Sequence, residues 1–255
     1  VFEQTHGPEA LRQRVIAFAS RRRLIDFGSP HGPVQALDLR ELHDVPKPSG
    51  LLHLAFLTRD RAAEEGHAAY VATNRAITAQ VEALLQANPT MPVVTTSSGA
   101  AAALDGAKPD LEGNPYATLK QEEEALLRRE ARNRMAVVFR VYAASGRFMR
   151  GAKRFALGDF ILQALSGKRL HIQATAPVER SYVHVGTMME LAWSLLLEPD
   201  SVGFQAMDAC TDHLTLLELA NRISQREGLP EPEHSIDSSL APSVYGGDAK
   251  PFLAK

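Results

Sequence analysis

Cysteine is almost missing: Cys210 is the one thiol in 255 residues. A single thiol closes no intramolecular disulfide and supplies no cysteine-rich zinc site. It suits a reducing compartment, so a cytoplasmic location is expected and a metal is not. An excess of charge of one sign is also missing, since 28 Lys and Arg face 30 Asp and Glu, a formal net charge of -2. No basic face is forced, and a nucleic-acid partner is not expected. No apolar run approaches the roughly 20 residues of a membrane helix. No charged segment followed by an apolar one opens the chain, so neither a membrane span nor a signal peptide is expected. Internal repeats and low-complexity tracts are absent too. What is present is a 45% apolar composition, enough to fill the core of one large domain, or of one domain with a smaller lobe.

The apolar residues fall into alternating strand and helix patterns. "RVIAFAS" (14–20) is a short apolar run followed by basic residues, and "LLHLAFL" (51–57) is a continuous buried-strand pattern. Residues 70–88 have helical spacing, with Val71, Ile77, Val81, Leu84 and Leu85 on one broad face. "PVVTTSS" (92–98) is β-rich and ends in small hydroxyl residues. Residues 114–133 predict a helix with Asn114 at its cap and Pro115 in its first turn, and "MAVVFRVY" (135–142) predicts the next strand. Buried strands separated by amphipathic helices imply βαβ units and a parallel sheet. After about residue 145 the pattern loosens into helices, short strands and an amphipathic helix over 215–228 stopped by Gly228 and Pro230. The Pro-, Ser- and Gly-rich stretch 229–247 reads as loop. These patterns predict an α/β fold built on a parallel sheet.

Ligands bind at the carboxyl ends of strands in a parallel sheet. Three local features lie there: the arginines 21–23 after the first strand, Ser97 and Ser98 after the 92–98 strand, and Tyr116 with Lys120 one turn apart on the following helix. Alone, each has an ordinary reading as solvated loop, turn cap or helix surface. Their order gives them meaning: strand, Ser-Ser, short loop, capped helix, Tyr, one turn, Lys.

In that order the sequence resembles the extended short-chain dehydrogenase/reductases, the NAD-dependent epimerase/dehydratase group that acts largely on nucleotide sugars. The likeness is carried by "QALDLRELHDV", "GLLHLAFL", "YVATNRAIT", "VVTTSSGAA", "NPYATLKQEEE", "VVFRVYAASG" and "ERSYVHV". It implies Tyr116 as acid/base, Lys120 as its activator and ribose ligand, and Ser98 as hydroxyl donor to the substrate oxygen, with Ser97 a helper or a turn residue. It also implies that Asp38 and Leu39 flank the adenine, that Leu54 and Ala55 line the cofactor, and that Asn74 is a structural or cofactor-loop residue. Arg180 would bind a substrate diphosphate, for which a guanidinium suits. Asp38 also reads as a turn cap, Asn74 as a buried polar residue bonded to backbone, and Arg180 as half of a surface ion pair.

The chemistry explains the grouping. Moving a hydride at a sugar carbon also moves a proton on its oxygen, and the acid/base must work near neutral pH. A free tyrosine has a pKa of about 10, so activation needs about 3 pH units, or about 4 kcal/mol. One positive charge about 4 Å away at an effective dielectric near 20 supplies about that much.

The chain departs from the family pattern in places. No Gly-x-x-Gly-x-x-Gly turn is present, and "VFEQTHGPEAL" resembles the helix that follows it, so the resemblance implies a truncated family member: a Rossmann-like doubly wound parallel sheet over 1–145 with its first strand missing, and a small C-terminal α+β substrate lobe over 146–255 interleaved with the end of that sheet. Ala143 stands where nucleotide-sugar members carry an asparagine, and Ser181 where an aspartate follows the arginine. Gly99 and Ala100 replace the Asp-Glu pair of the 4,6-dehydratases, which leaves epimerisation or carbonyl reduction. The end of the second strand of a Rossmann unit reads the cofactor ribose. There, Arg21 and Arg22 with no carboxylate before Asp26 predict NADP over NAD. A homodimer through helices 70–88 and 114–133 is expected from the stripes Val81, Leu84, Leu85 and Ala125, Leu126, Leu127. The alternative to an enzyme is a catalytically inactive Rossmann-like binding or regulatory protein.

Overall fold

Five consecutive side chains, Met135 to Phe139, are buried to within 2% of full coverage, the mark of a strand covered on both faces. The computed structural model describes residues 1–45, 47–59, 64–106, 108–149 and 151–255. These fall into two units.

The first unit comprises Val1–Arg140 and Met189–Ala206. Two short helices, α1 (Phe2–His6) and α2 (Pro8–Arg14), meet at Gly7, whose φ of 86° belongs to glycine. Strands β1 (Ala17–Ala19), β2 (Arg23–Ile25) and β3 (Val34–Asp38) form a small sheet, with β3 parallel to β1 and antiparallel to β2. Arg23 therefore stands in a strand. A second sheet holds β4 (Leu51–His53), β5 (Val93–Ser98), β6 (Met135–Val141) and the strand Gly203–Ala209, in the spatial order last, β6, β5, β4. β4 and β5 run parallel, with His53 opposite Thr95.

Helices α3 (His67–Ala87) and α5 (Pro115–Glu130) build the core on this sheet. Val81, Leu84, Leu85 and Leu127 pack with Val93 and Val138, each worth about 1.5–3 kcal/mol when fully buried. Of the stripes expected to meet a second subunit, Leu126 is 4% exposed and Leu85 and Leu127 not at all, while Ala125 is exposed. The exposed flanks of α3 and α5 are joined within the chain by the pairs Arg75–Glu122 and Arg129–Glu82. Asn114 caps α5, its Oδ1 accepting from Ala117 N, and Pro115 opens the first turn. Between β5 and α5 lies the single turn α4 (Gly99–Ala102).

The second unit comprises Val141–Met188 and Met207–Lys255. It contains β7 (Ala143–Ser145), α6 (Ala156–Leu165), β8 (His171–Ile172) and β9 (Val178–His184). α7 (Val185–Leu197) and β10 (Gly203–Ala209) contribute residues to both units. β11 (Asp212–Thr215) and α8 (Leu216–Glu227) follow. α8 starts in a capping box between Thr215 and Glu218 and ends at the left-handed Gly228, where the sequence places its stop. β9 is the centre of this unit, antiparallel to β11 and parallel to β7. The stretch 229–247, expected as loop, adds β12 (Glu233–His234) against β8 and β13 (Ser243–Tyr245) against β9. Strands of two and three residues have no periodicity to read, and they form because β8 and β9 offer open edges. The chain closes with α9 (Lys250–Leu253). No helix among the described residues is long and apolar enough to cross a membrane.

Candidate active site

The carboxyl end of β5 carries Ser97 and Ser98, each 5% exposed. Ser98 caps α4, its Oγ accepting from Ala100 N at 3.2 Å. The Ser97 hydroxyl is buried and has no hydrogen-bond partner among the described residues. α5 starts on the far side of the 103–114 connection and places Tyr116 in its first turn, half-buried. One turn later Lys120 is 5% exposed, with Nζ donating to Thr96 O on β5 and to Glu123 Oε2, both at 2.8 Å. The lysine is thus tied to the strand whose last two residues are the serines.

Phe56, in the loop after β4, touches both members of the pair. Its ring meets that of Tyr116 edge-on at 5.8 Å and 85°, and Lys120 Nζ stands 3.9 Å from its centroid, a desolvated cation–π contact. The Arg59 guanidinium lies 5.4 Å from the centre of the Tyr116 ring. In front of Tyr116 opens a cavity of about 460 Å³, lined by Arg59, Tyr70, Gly113, Asn114 and Pro115. Tyr70 is fully covered and its hydroxyl has no partner in bonding geometry among the described residues. Burial, reinforced by the neighbouring Tyr116, pushes the Tyr70 phenol up to about 12, so it stays a neutral donor. The site therefore has a hydroxyl on a cavity wall, a cation fixed one turn behind it, and two orphaned buried hydroxyls.

Behind the lysine lies a feature the sequence reading passes over. Glu123 is 2% exposed and His53, on β4, 5%. His53 Nε2 approaches Glu123 Oε1 to 2.6 Å, a close contact outside hydrogen-bond alignment. Burial pushes the Glu123 carboxyl up, but the charge of Lys120 and the contact with His53 outweigh it and hold the group below the usual carboxylate range. No group of three or more His, Cys, Asp or Glu side chains among the described residues is arranged to hold a metal.

A family model described as the NAD dependent epimerase/dehydratase family matches residues 10–207. The chain belongs to that family. No curated protein matches it. Among solved structures it is similar to MoeE5 in complex with UDP-glucuronic acid and NAD, at 18% identity and a TM-score of 0.68 over 96% of this chain and 85% of that one. It is also similar to the UDP-glucose 4-epimerase of Thermotoga maritima with UDP-glucose, at 19% identity and a TM-score of 0.62 over 84% and 73% of the two chains. A third is RMD from Pseudomonas aeruginosa complexed with NADPH, at 20% identity and a TM-score of 0.59 over 82% and 75%. At such identities the likeness speaks for the fold, which is the Rossmann-like α/β fold.

The other residues singled out in this epimerase/dehydratase family member have these places. Asp38 ends β3 and caps the 3-10 turn Leu39–Asp44, and its carboxylate takes the backbone N–H and guanidinium of Arg40. Arg22 is bonded to Glu41, whereas Arg21 is exposed. Leu54 follows β4 with half its surface open, next to the half-buried Ala55. Asn74, 1% exposed, accepts from Leu57 N and donates to Leu57 O and Tyr70 O, so it fixes the loop that carries Phe56. Arg180 belongs to the second unit and donates to Glu179 O and Ser243 O.

His53, Phe56, Arg59, Tyr70 and Glu123 are the residues sequence reasoning missed. Glu123 sits in a run of three glutamates that reads as solvated surface. Its signal was positional: 120, 123, 124 and 127 share one helical face, and Leu127 marks that face as buried.

Proposed function

We propose that this chain carries the acid/base site of an NAD(P)-dependent epimerase or reductase acting on a nucleotide-linked sugar. The observation that carries the reading is Tyr116 at the cavity wall, one helical turn before a buried Lys120 bonded to the strand that ends in Ser97 and Ser98. A bound nicotinamide supplies the hydride acceptor. Tyr116 takes the proton of the sugar hydroxyl as its carbon is oxidised and returns it on reduction, and Lys120 favours the tyrosinate by charge. Ser98 donates its O–H to the same oxygen while its Oγ accepts from Ala100 N. Gly99 and Ala100 put no carboxylate after Ser98, which favours epimerisation or reduction over dehydration.

The residues at the ends of β4 and β5 fit a nicotinamide nucleoside. Leu54 and Ala55 offer an apolar surface, Lys120 a cation, and Ser97 an orphaned hydroxyl. Arg59 on the cavity wall is assigned to the anionic part of the substrate. UDP-sugar complexes of MoeE5 and of the Thermotoga epimerase support that substrate class. The neighbours take either NAD or NADPH. For this chain we assign NADP, with Arg21 as the first contact to the 2′-phosphate, because Arg22 already serves Glu41.

The test pairs NADP and NAD with a panel of UDP-, GDP- and dTDP-sugars. A reductase consumes NADPH in step with product; an epimerase inverts one sugar carbon by NMR with no net change in cofactor. NADP should bind more tightly than NAD, and Arg21→Ala should remove the difference. Equal or tighter NAD binding in the unmutated protein would overturn the cofactor assignment, and no turnover of any sugar nucleotide would overturn the substrate class.

A further inference from the structure

We propose that Glu123, held by His53, is a positioning residue for Lys120 and sets the charge presented to Tyr116. The inference rests on the reading of Tyr116 and Lys120 as an acid/base pair. Three ionisable side chains from two elements meet here with exposures of 5% for Lys120, 2% for Glu123 and 5% for His53. Glu123 Oε2 accepts from Lys120 Nζ at 2.8 Å, and His53 Nε2 stands 2.6 Å from Oε1. A buried ion is stable only while paired, so neither Lys120 nor Glu123 leaves this arrangement alone. The lysine therefore has one defined place, between Thr96 O, Glu123 and the Phe56 ring.

The pairing also changes what Tyr116 experiences. A lone lysine would present a full positive charge. Paired with Glu123 it presents far less. Among the described residues, few titratable and charged groups face this region. α5 supplies Tyr116, Lys120 and Glu123, β4 supplies His53, the loop after β4 supplies Arg59, and α3 supplies Tyr70. β5 contributes the Thr96 carbonyl. Glu124, on the same turn and equally buried, turns instead to Arg140, which also holds Asp105. Two adjacent buried glutamates thus have separate partners, and only one of them bears on the lysine.

The separation supplies the experiment, which needs neither cofactor nor substrate. In the full chain with carbon-labelled Tyr and Lys, NMR follows proton loss from the Tyr116–Lys120 pair, with Tyr116→Phe and Lys120→Met assigning the resonances. Removing a negative charge eases proton loss from whichever member gives it up, so the statement concerns the pair. Glu123→Gln should move the first midpoint down by about one pH unit or more, at least tenfold in ionisation constant. Glu124→Gln should leave it in place. An unchanged midpoint in Glu123→Gln, or equal movement in both variants, would overturn the proposal. Should Glu123→Gln not fold, Lys120→Met reads the same coupling from the other side: the Glu123 carboxyl midpoint should rise, and no rise would overturn it. A protein without turnover can pass this test and an active enzyme can fail it, so it stands apart from the proposed activity.

Discussion

At the scale of single residues, the chain places buried polar groups where they hold other parts in position. Arg134 is 3% exposed and donates to Leu85 O, Asn88 O, Met91 O and Glu130 O. It satisfies the open carbonyls at the ends of α3 and α5 and of the turn that leads into β5, as the last turn of a helix requires. Arg134→Met keeps the bulk and removes the donors. It should cost about 2–4 kcal/mol, because buried carbonyls lose charge-assisted bonds with no water to replace them. Chemical denaturation of the two proteins measures this; a loss well under about 1 kcal/mol would show that water or a relaxed backbone satisfies the carbonyls. Asn74 works in the same manner on the loop that carries Phe56 and Arg59, and Lys120 with Glu123 on the interior of the site.

At the scale of elements, the 3-10 turn Leu39–Asp44 shows charge fixing a short structure. Hydrogen bonds from the Arg40 side chain and backbone hold Asp38 at about 2. The Arg22 guanidinium, and then the Asp38 backbone N–H, hold Glu41 at about 2. Both values lie below the ordinary 3.8 and 4.5. The folded chain therefore binds fewer protons than the unfolded chain within that window. The contribution of the two groups is complete above the ordinary values and is lost as pH falls through about 2. The urea midpoint should fall on acidification across this window, and less steeply in a chain carrying Asp38→Asn and Glu41→Gln. Equal slopes would mean that the capping box contributes nothing to acid sensitivity. The same turn illustrates what the sequence made legible. A parallel sheet, the helices over 70–88 and 114–133, the cap at Asn114 and the stop at Gly228 followed from periodicity and local chemistry. β2, β12 and β13 did not, since strands of two or three residues have no period and depend on an open edge elsewhere. Within the site, the Tyr-x-x-x-Lys spacing and the serines at a strand end were readable. His53 with Glu123 was not, because its members lie 70 positions apart and meet only when β4 and α5 come together. Arg22 with Glu41 escaped for a similar reason.

At the scale of the molecule, the site's residues are drawn from one unit. His53, Phe56, Tyr70, Ser97, Ser98, Tyr116, Lys120 and Glu123 all lie within Val1–Arg140. The parallel pair β4–β5 ends at the site, as ligand sites in open α/β sheets do. Membership of the NAD-dependent epimerase/dehydratase family and the Rossmann-like fold agree with that placement. The central claim is that Tyr116 exchanges the substrate proton. The direct measurement is turnover of the sugar nucleotide by Tyr116→Phe beside the unmutated protein, with cofactor affinity recorded for both. The account predicts a loss of at least about a hundredfold in turnover, the usual scale for a general acid–base group, with cofactor still bound. Turnover near that of the unmutated protein would contradict it.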